Sequence, residues 1–168
     1  MVWASDAWWR EETVHDRDLP FTEAAHRVLA LAGVEANRLR HEYVGTEHLV
    51  LALVRQTHGI LGTALRTLRV DGEQVRAMIE ATVRPGTGTA VHDHALPYTS
   101  RTRRVFELAK DSAQILGERE IGAEHLLVGV LREAKGVGGQ ILLYHGLSEA
   151  AALDEIKRIH RGEDTPAT

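Results

Sequence analysis

Apolar residues return along the chain at the spacing of one helical face, and they do so twice. Ala25, Val28, Leu29, Ala32, Ala36 and Leu39 follow the i, i+3, i+4, i+7 pattern of a buried stripe, and Val105, Leu108, Ala109, Ser112 and Leu116 repeat it. A second helix is predicted from Gly45 through Leu49 to Val54, with a later copy from Gly122 through Leu126 to Leu131. A third, short helix is predicted over 60–68 and again over 138–144. The fourth has the clearest start: Asp71 with Gln74 forms a capping-box pattern, and Ser148 supplies the equivalent cap in the second copy.

The two sets are one unit duplicated. Phe21-Thr22 recurs as Tyr98-Thr99, and Gly45-Thr46-Glu47-His48-Leu49 recurs as Gly122-Ala123-Glu124-His125-Leu126, each 77 positions on (98 − 21 and 122 − 45) with no gap. The expected fold is therefore all-α, with two tandem four-helix repeats, eight helices in all. The repeats cover 19–84 and 96–161, joined by a Pro- and Gly-containing linker at 85–95. A unit of about 65 residues buries too little surface to be stable alone, so the repeats are expected to pack on each other with pseudo-twofold symmetry. An arm, residues 1–18, precedes them and a polar tail, 162–168, follows.

Composition narrows the function. The chain has 168 residues, 43% hydrophobic and 26% charged, as in ordinary globular proteins. Its 20 Lys+Arg against 24 Asp+Glu leave a net charge of −4, with no positive excess to collect a phosphate backbone, so no nucleic-acid partner is expected. The absence of cysteine excludes disulfides, thiolate zinc sites and a thiol nucleophile. The longest strongly apolar run, 49–54, is far too short to span a bilayer and no secretory signal is visible, so no membrane association and a cytoplasmic location are expected. The arm differs from the rest: it holds all three tryptophans, Trp3, Trp8 and Trp9, and five acidic residues against two basic. It reads either as a terminus whose indoles cover the globule's apolar edge or as a docking peptide for a groove on this molecule or on a partner, the partner being a neighbouring copy in the case of a homo-oligomer.

Ten histidines invite a search for chemistry. His92-Asp93-His94 lies in the linker, without the three or four convergent groups that zinc requires. His41-Glu42 and Glu47-His48 lack the His-Glu-x-x-His spacing, and adjacency on a helix is expected to point the Glu and His side chains apart. His48 and His125 are expected to hydrogen-bond near their helix starts. There is no Gly-Lys pair for a Walker A loop, Gly136-Val137-Gly138-Gly139 falls between helices, and no nucleophile elbow occurs. No enzyme activity, metal or cofactor is expected. Glu47 and Glu124 fall in a first helical turn, where the helix dipole alone favours a carboxylate. Free amides at a helix start hold an anion, and a neighbouring carboxylate takes a guanidinium. Together they suit a ligand cationic at one end and anionic at the other, such as phosphoarginine.

The residues Phe21-Thr22-Glu23, 28–32, 45–54, Tyr98-Thr99 and 122–131 resemble the double repeat of the Clp ATPase amino-terminal domain, nearest to the ClpC type, over about residues 20 to 161. The resemblance implies a module that receives peptide or protein substrates or adaptors for the Clp unfoldase and protease, with phosphoarginine binding in the ClpC branch. By position it implies Glu47 and Glu124 as phosphoarginine contacts, with Thr46, Thr22 and Thr99 at helix starts. It places Phe21 and Tyr98 at a peptide-binding surface, with packing on their own helices as the alternative. Arg103 adds positive charge one turn beyond Thr99, where the first repeat has His26. Ala123 replaces the motif threonine, removing a hydroxyl cap typically worth ~1 kcal/mol. The AAA+ modules that usually follow are absent from these 168 residues, so a stand-alone adaptor, competitor or sequestering protein is the expected role.

Overall fold

A computed structural model describes residues 19–88 and 95–163; the tryptophan arm, His92 and His94 lie outside these. Among the described residues eight helices follow one another: α1 Glu23–Arg38, α2 Thr46–Leu53, α3 Gly59–Thr67, α4 Gly72–Thr82, α5 Ser100–Ile115, α6 Ala123–Glu133, α7 Val137–Tyr144 and α8 Glu149–His160. Four of the caps are side chains acting as predicted. Thr22, Asp71, Thr99 and Ser148 accept from the backbone N–H of Ala25, Gln74, Thr102 and Ala151 respectively.

α2 and α6 form the centre. Leu49 to Leu53 is apolar on every side, and such a helix has no face to give to water; every residue of α2 is buried, as is α6 from Ala123 to Leu131. Around them one continuous core runs through both repeats, from Phe21 to Ile156. Packing crosses between the repeats at α2 with α7 and at α3 with α8. Gly138 permits the first of these: a Cβ there would stand 2.4 Å from the Thr46 carbonyl oxygen. Its N–H donates to Thr46 Oγ1 at 3.2 Å. The Thr46 hydroxyl therefore ties α2 to α7 and does not cap α2, whose N-cap is Gly45. Ala123 likewise follows an N-cap glycine, Gly122, so its missing hydroxyl removes no cap.

Two isolated bridges clasp the repeats, and they are copies of each other. Phe21 pairs with Ile121, through Thr22 N–H to the Ile121 carbonyl at 3.0 Å and Ile121 N–H to the Pro20 carbonyl at 2.8 Å. Tyr98 pairs with Val44, through Thr99 N–H to the Val44 carbonyl at 3.1 Å and Val44 N–H to the Pro97 carbonyl at 2.8 Å. Each repeat's lead-in thus bonds the other repeat's turn before the Gly-x-Glu-His motif, as a twofold relation demands. Buried Thr102 secures the second clasp, donating Oγ1–H to the Val44 carbonyl at 3.0 Å.

Candidate functional site

The Gly-x-Glu-His motif builds the same corner twice. The third helical residue, His48 or His125, turns back and accepts the N-cap amide: Gly45 N–H to His48 Nδ1 at 2.9 Å and Gly122 N–H to His125 Nδ1 at 2.8 Å. The glutamate folds back over its glycine. A Cβ on Gly45 would lie 2.4 Å from Glu47 Oε2, and one on Gly122 would lie 2.5 Å from Glu124 Oε1. Both glycines have extended backbone, φ −96° and −86°, so the motif needs glycine there for the room it leaves above the carboxylate. Glu47 and Glu124 are 8% and 9% exposed. Among the described residues neither has an Arg or Lys within ion-pairing distance. Burial pushes the Glu124 carboxyl up; its own backbone N–H and His160 pull it down, and Glu118 adds to the rise.

This geometry alters the expected division of labour. The N-cap amide is taken by histidine, and Glu124 accepts a hydrogen bond from its own backbone N–H. The N-cap amides of both helices and the Glu124 amide are therefore already engaged, while the carboxylate corner itself is intact.

The surroundings of the two corners differ. In the first repeat the ring nitrogens form a closed chain: His48 Nδ1 accepts from Gly45, His48 Nε2–H donates to His41 Nδ1 at 2.7 Å, and His41 Nε2–H donates to the Arg84 carbonyl at 2.8 Å. Both imidazoles are neutral in this arrangement. Burial, then His41, lowers the His48 pKa to about 3. In the second repeat Glu118 occupies the place of His41 and turns to His160 Nδ1 at 2.9 Å. His125 Nε2 is left buried with no hydrogen-bond partner, and burial, then His160, lowers its pKa to about 4. Side chains expected to point apart do meet. Ligand-type atoms of His41, Glu47 and His48 lie within 4.8 Å of one another, as do those of Glu124, His125 and His160. They do not suit a metal, because His48 and His125 each accept an N–H at Nδ1 and so carry their proton on Nε2, leaving no lone pair to ligate.

The model of the Clp repeat (R) N-terminal domain matches residues 20–145. The chain belongs to this family. It is 38% identical over 145 residues to the negative regulator of genetic competence ClpC/MecB of Bacillus subtilis (strain 168), covering 86% of this chain and 18% of that protein. The chain thus spans under a fifth of that relative's length. The N-terminal domain of the chaperone ClpD from Arabidopsis thaliana superposes with a TM-score of 0.62 at 25% identity, covering 84% of this chain and 96% of that one. A ClpV N-domain in complex with a VipB peptide shares the fold, with a TM-score of 0.54 at 14% identity over 84% of this chain and 98% of that one.

Within this Clp N-type domain the clasps decide which predicted residues share a corner. Phe21-Thr22 is bonded to Ile121, directly before Gly122 and Glu124, and Tyr98-Thr99 is bonded to Val44, directly before Gly45 and Glu47. Each corner is therefore framed by the other repeat's threonine and aromatic. Phe21 and Tyr98 are 7% and 6% exposed and meet edge to face on Phe106, at 5.7 and 4.9 Å. Phe21 also packs on His26 of α1 at 5.9 Å, the staple alternative. Arg103 is exposed on α5. Sequence reasoning missed Tyr43, which is 41% exposed and stacked on His41 at 5.2 Å. Burial, then the Glu47 carboxylate, pushes its hydroxyl pKa up. Its signal was an aromatic two residues before the motif glycine. Glu118 and His160 beside Glu124 were missed too, because only the fold brings α8 to that corner.

Proposed function

We propose that this domain is a non-enzymatic receptor for peptide or protein segments of the Clp system, taking an arginine-type cation, phosphoarginine included, at the corners around Glu124 and Glu47. The observation that carries this reading is the pair of nearly covered carboxylates that have no Arg or Lys partner among the described residues. A carboxylate kept from water and left uncompensated is costly, and a guanidinium bonding it with two parallel N–H groups relieves that cost. Phe21 and Thr22 frame the Glu124 corner, and Tyr98, Thr99 and Tyr43 frame the Glu47 corner. The phosphate end of phosphoarginine is met outside the helix-start amides, with Arg103 on the second repeat as the cation to receive it. The peptide held by the ClpV N-domain supports peptide capture on this fold. The domain then acts as adaptor, competitor or sequestering protein toward a Clp unfoldase. Calorimetric titration of phosphoarginine and of arginine against wild type, Glu47→Ala, Glu124→Ala and the double variant tests it. Progressive loss of affinity is expected, and equal affinity in all four forms rejects the ligand.

A further inference from the structure

A second surface has the opposite sign. A cleft of about 440 Å³ opens between the first turns of α5 and the end of α6, lined chiefly by Arg101, Arg104, Leu108, Arg132, Glu133 and Lys135. Its volume is that of ordinary ligand clefts. Four of its side chains are cations and one is an acid. Glu133 is fully engaged, taking Arg101 Nη1 at 2.8 Å and the Gly136 N–H at 2.7 Å. Among the described residues Arg104 and Arg132 ion-pair with rim acids, Glu107 at 2.6 Å and Glu149 at 3.1 Å. Exposed pairs of that kind contribute little and exchange readily. Lys135, just past the left-handed Ala134 that ends α6 (φ 58°), has no acid within ion-pairing distance among the described residues.

The sequence of α5 makes this charge conspicuous. It begins Ser100-Arg101-Thr102-Arg103-Arg104 and has no acid in its first turn. The start of a helix is its positive end, so stability alone favours acids there. Three arginines at that place work against the helix and suit an incoming anion. Guanidinium groups also stack on indole faces, in addition to bonding carboxylates. The matching chemistry is an acidic segment that carries tryptophan.

The chain contains one. Residues 1–18 hold Asp6, Glu11, Glu12, Asp16 and Asp18 against Arg10 and Arg17, with Trp3, Trp8 and Trp9. They join the globule at Leu19-Pro20, where the Pro20 carbonyl is fixed to Ile121. Eighteen residues reach up to roughly 60 Å when extended, against roughly 40 Å across a globule of this size, so the cleft is within range. We propose that the basic cleft between α5 and α6 is the docking site of the chain's own residues 1–18, carboxylates on Arg104, Arg132 and Lys135 and indoles on the guanidinium faces.

Because every tryptophan lies in the arm, indole fluorescence of the whole chain reports on the arm alone. The experiment compares wild type, Arg104→Glu with Lys135→Glu, and a free peptide of residues 1–18, by emission maximum and by quenching with acrylamide, which is uncharged. Wild type is expected to emit to the blue of the peptide and to quench severalfold less. The double variant, and wild type in molar salt, are expected to approach the peptide. The milder Arg104→Gln with Lys135→Gln replaces the reversal if far-UV circular dichroism shows the first variant unfolded. Identical emission and quenching of wild type and peptide overturn the proposal. So does protection that survives both the variant and salt, which puts the arm elsewhere, and so does protection that rises with chain concentration alongside dimer mass, which puts it in a second copy.

Discussion

Acidification from about pH 6.5 to pH 5 should remove about 3 kcal/mol of folding stability through two imidazoles. His48 and His125 are 0% and 1% exposed and both accept an N-cap amide at Nδ1. Their folded values, about 3 and about 4, lie well below the 6.5 of a free imidazole. In this window the unfolded chain completes the protonation of both imidazoles, which the fold refuses, so stability rises with pH and is lost as pH falls. A free imidazole is already half protonated at pH 6.5, so between there and pH 5 each histidine costs about 1.2 pH units at 1.36 kcal/mol, or about 1.6 kcal/mol. The figure depends little on the folded values so long as both stay below 5. Glu124 acts in the opposite sense: its folded pKa is raised, so it binds its proton first and gains stability as pH falls toward the unfolded value. Glu35 and Glu155, with lowered folded values, lose their contributions only below the ordinary carboxylate pKa of 4.5, outside this window. Against a total of about 5–15 kcal/mol, the loss is large enough to read from urea unfolding followed by far-UV circular dichroism. His48→Gln and His125→Gln should each remove about half of the pH slope, with stability at neutral pH lowered in both. A slope that is flat in wild type, or unchanged in the double variant, would refute the assignment of neutral, amide-accepting imidazoles.

Gly122→Ala should leave the fold intact and weaken ligand capture: the nearest atoms to the new methyl are those of the Glu124 carboxyl group, the end of a flexible side chain. Thermal unfolding is expected to shift little while calorimetry with phosphoarginine loses affinity, and Gly45→Ala should do the same at the first corner. Thr102→Val keeps the shape of a fully buried side chain but deletes the hydrogen bond to the Val44 carbonyl; about 1–2 kcal/mol should be lost in urea unfolding. Glu35→Gln should cost about 2 kcal/mol by the same assay, because a carboxylate 1% exposed holds Arg38, Arg55 and Arg76 together at 2.7, 2.9 and 3.5 Å; partial exposure of the arginines keeps the loss below that of a fully buried ion pair.

The helices were legible because their signals are local. The stripe from Ala25 to Leu39 is buried as its spacing required, and Thr22, Asp71, Thr99 and Ser148 cap where their residue type said they would. The duplicated motif also pointed to the corner that Glu47 and Glu124 occupy. Its inner geometry was not legible. A glycine at an N-cap reads as a backbone preference, whereas here it leaves space for a folded-back carboxylate. Thr46 reads as a cap, yet its hydroxyl serves Gly138, 92 residues away. The crossing of Phe21 to Ile121 and Tyr98 to Val44 leaves no periodic trace, because a single bridge pair has no repeat to detect.

The two clasps make the duplication an obligate couple. The Pro20 carbonyl and the Thr22 N–H find their hydrogen-bond partner in the later half, and the Pro97 carbonyl and the Thr99 N–H find theirs in the earlier one. A polypeptide severed in the linker would keep all of these bonds if the two fragments stayed together, and either fragment by itself would have to recruit a second molecule to stand in for its lost twin.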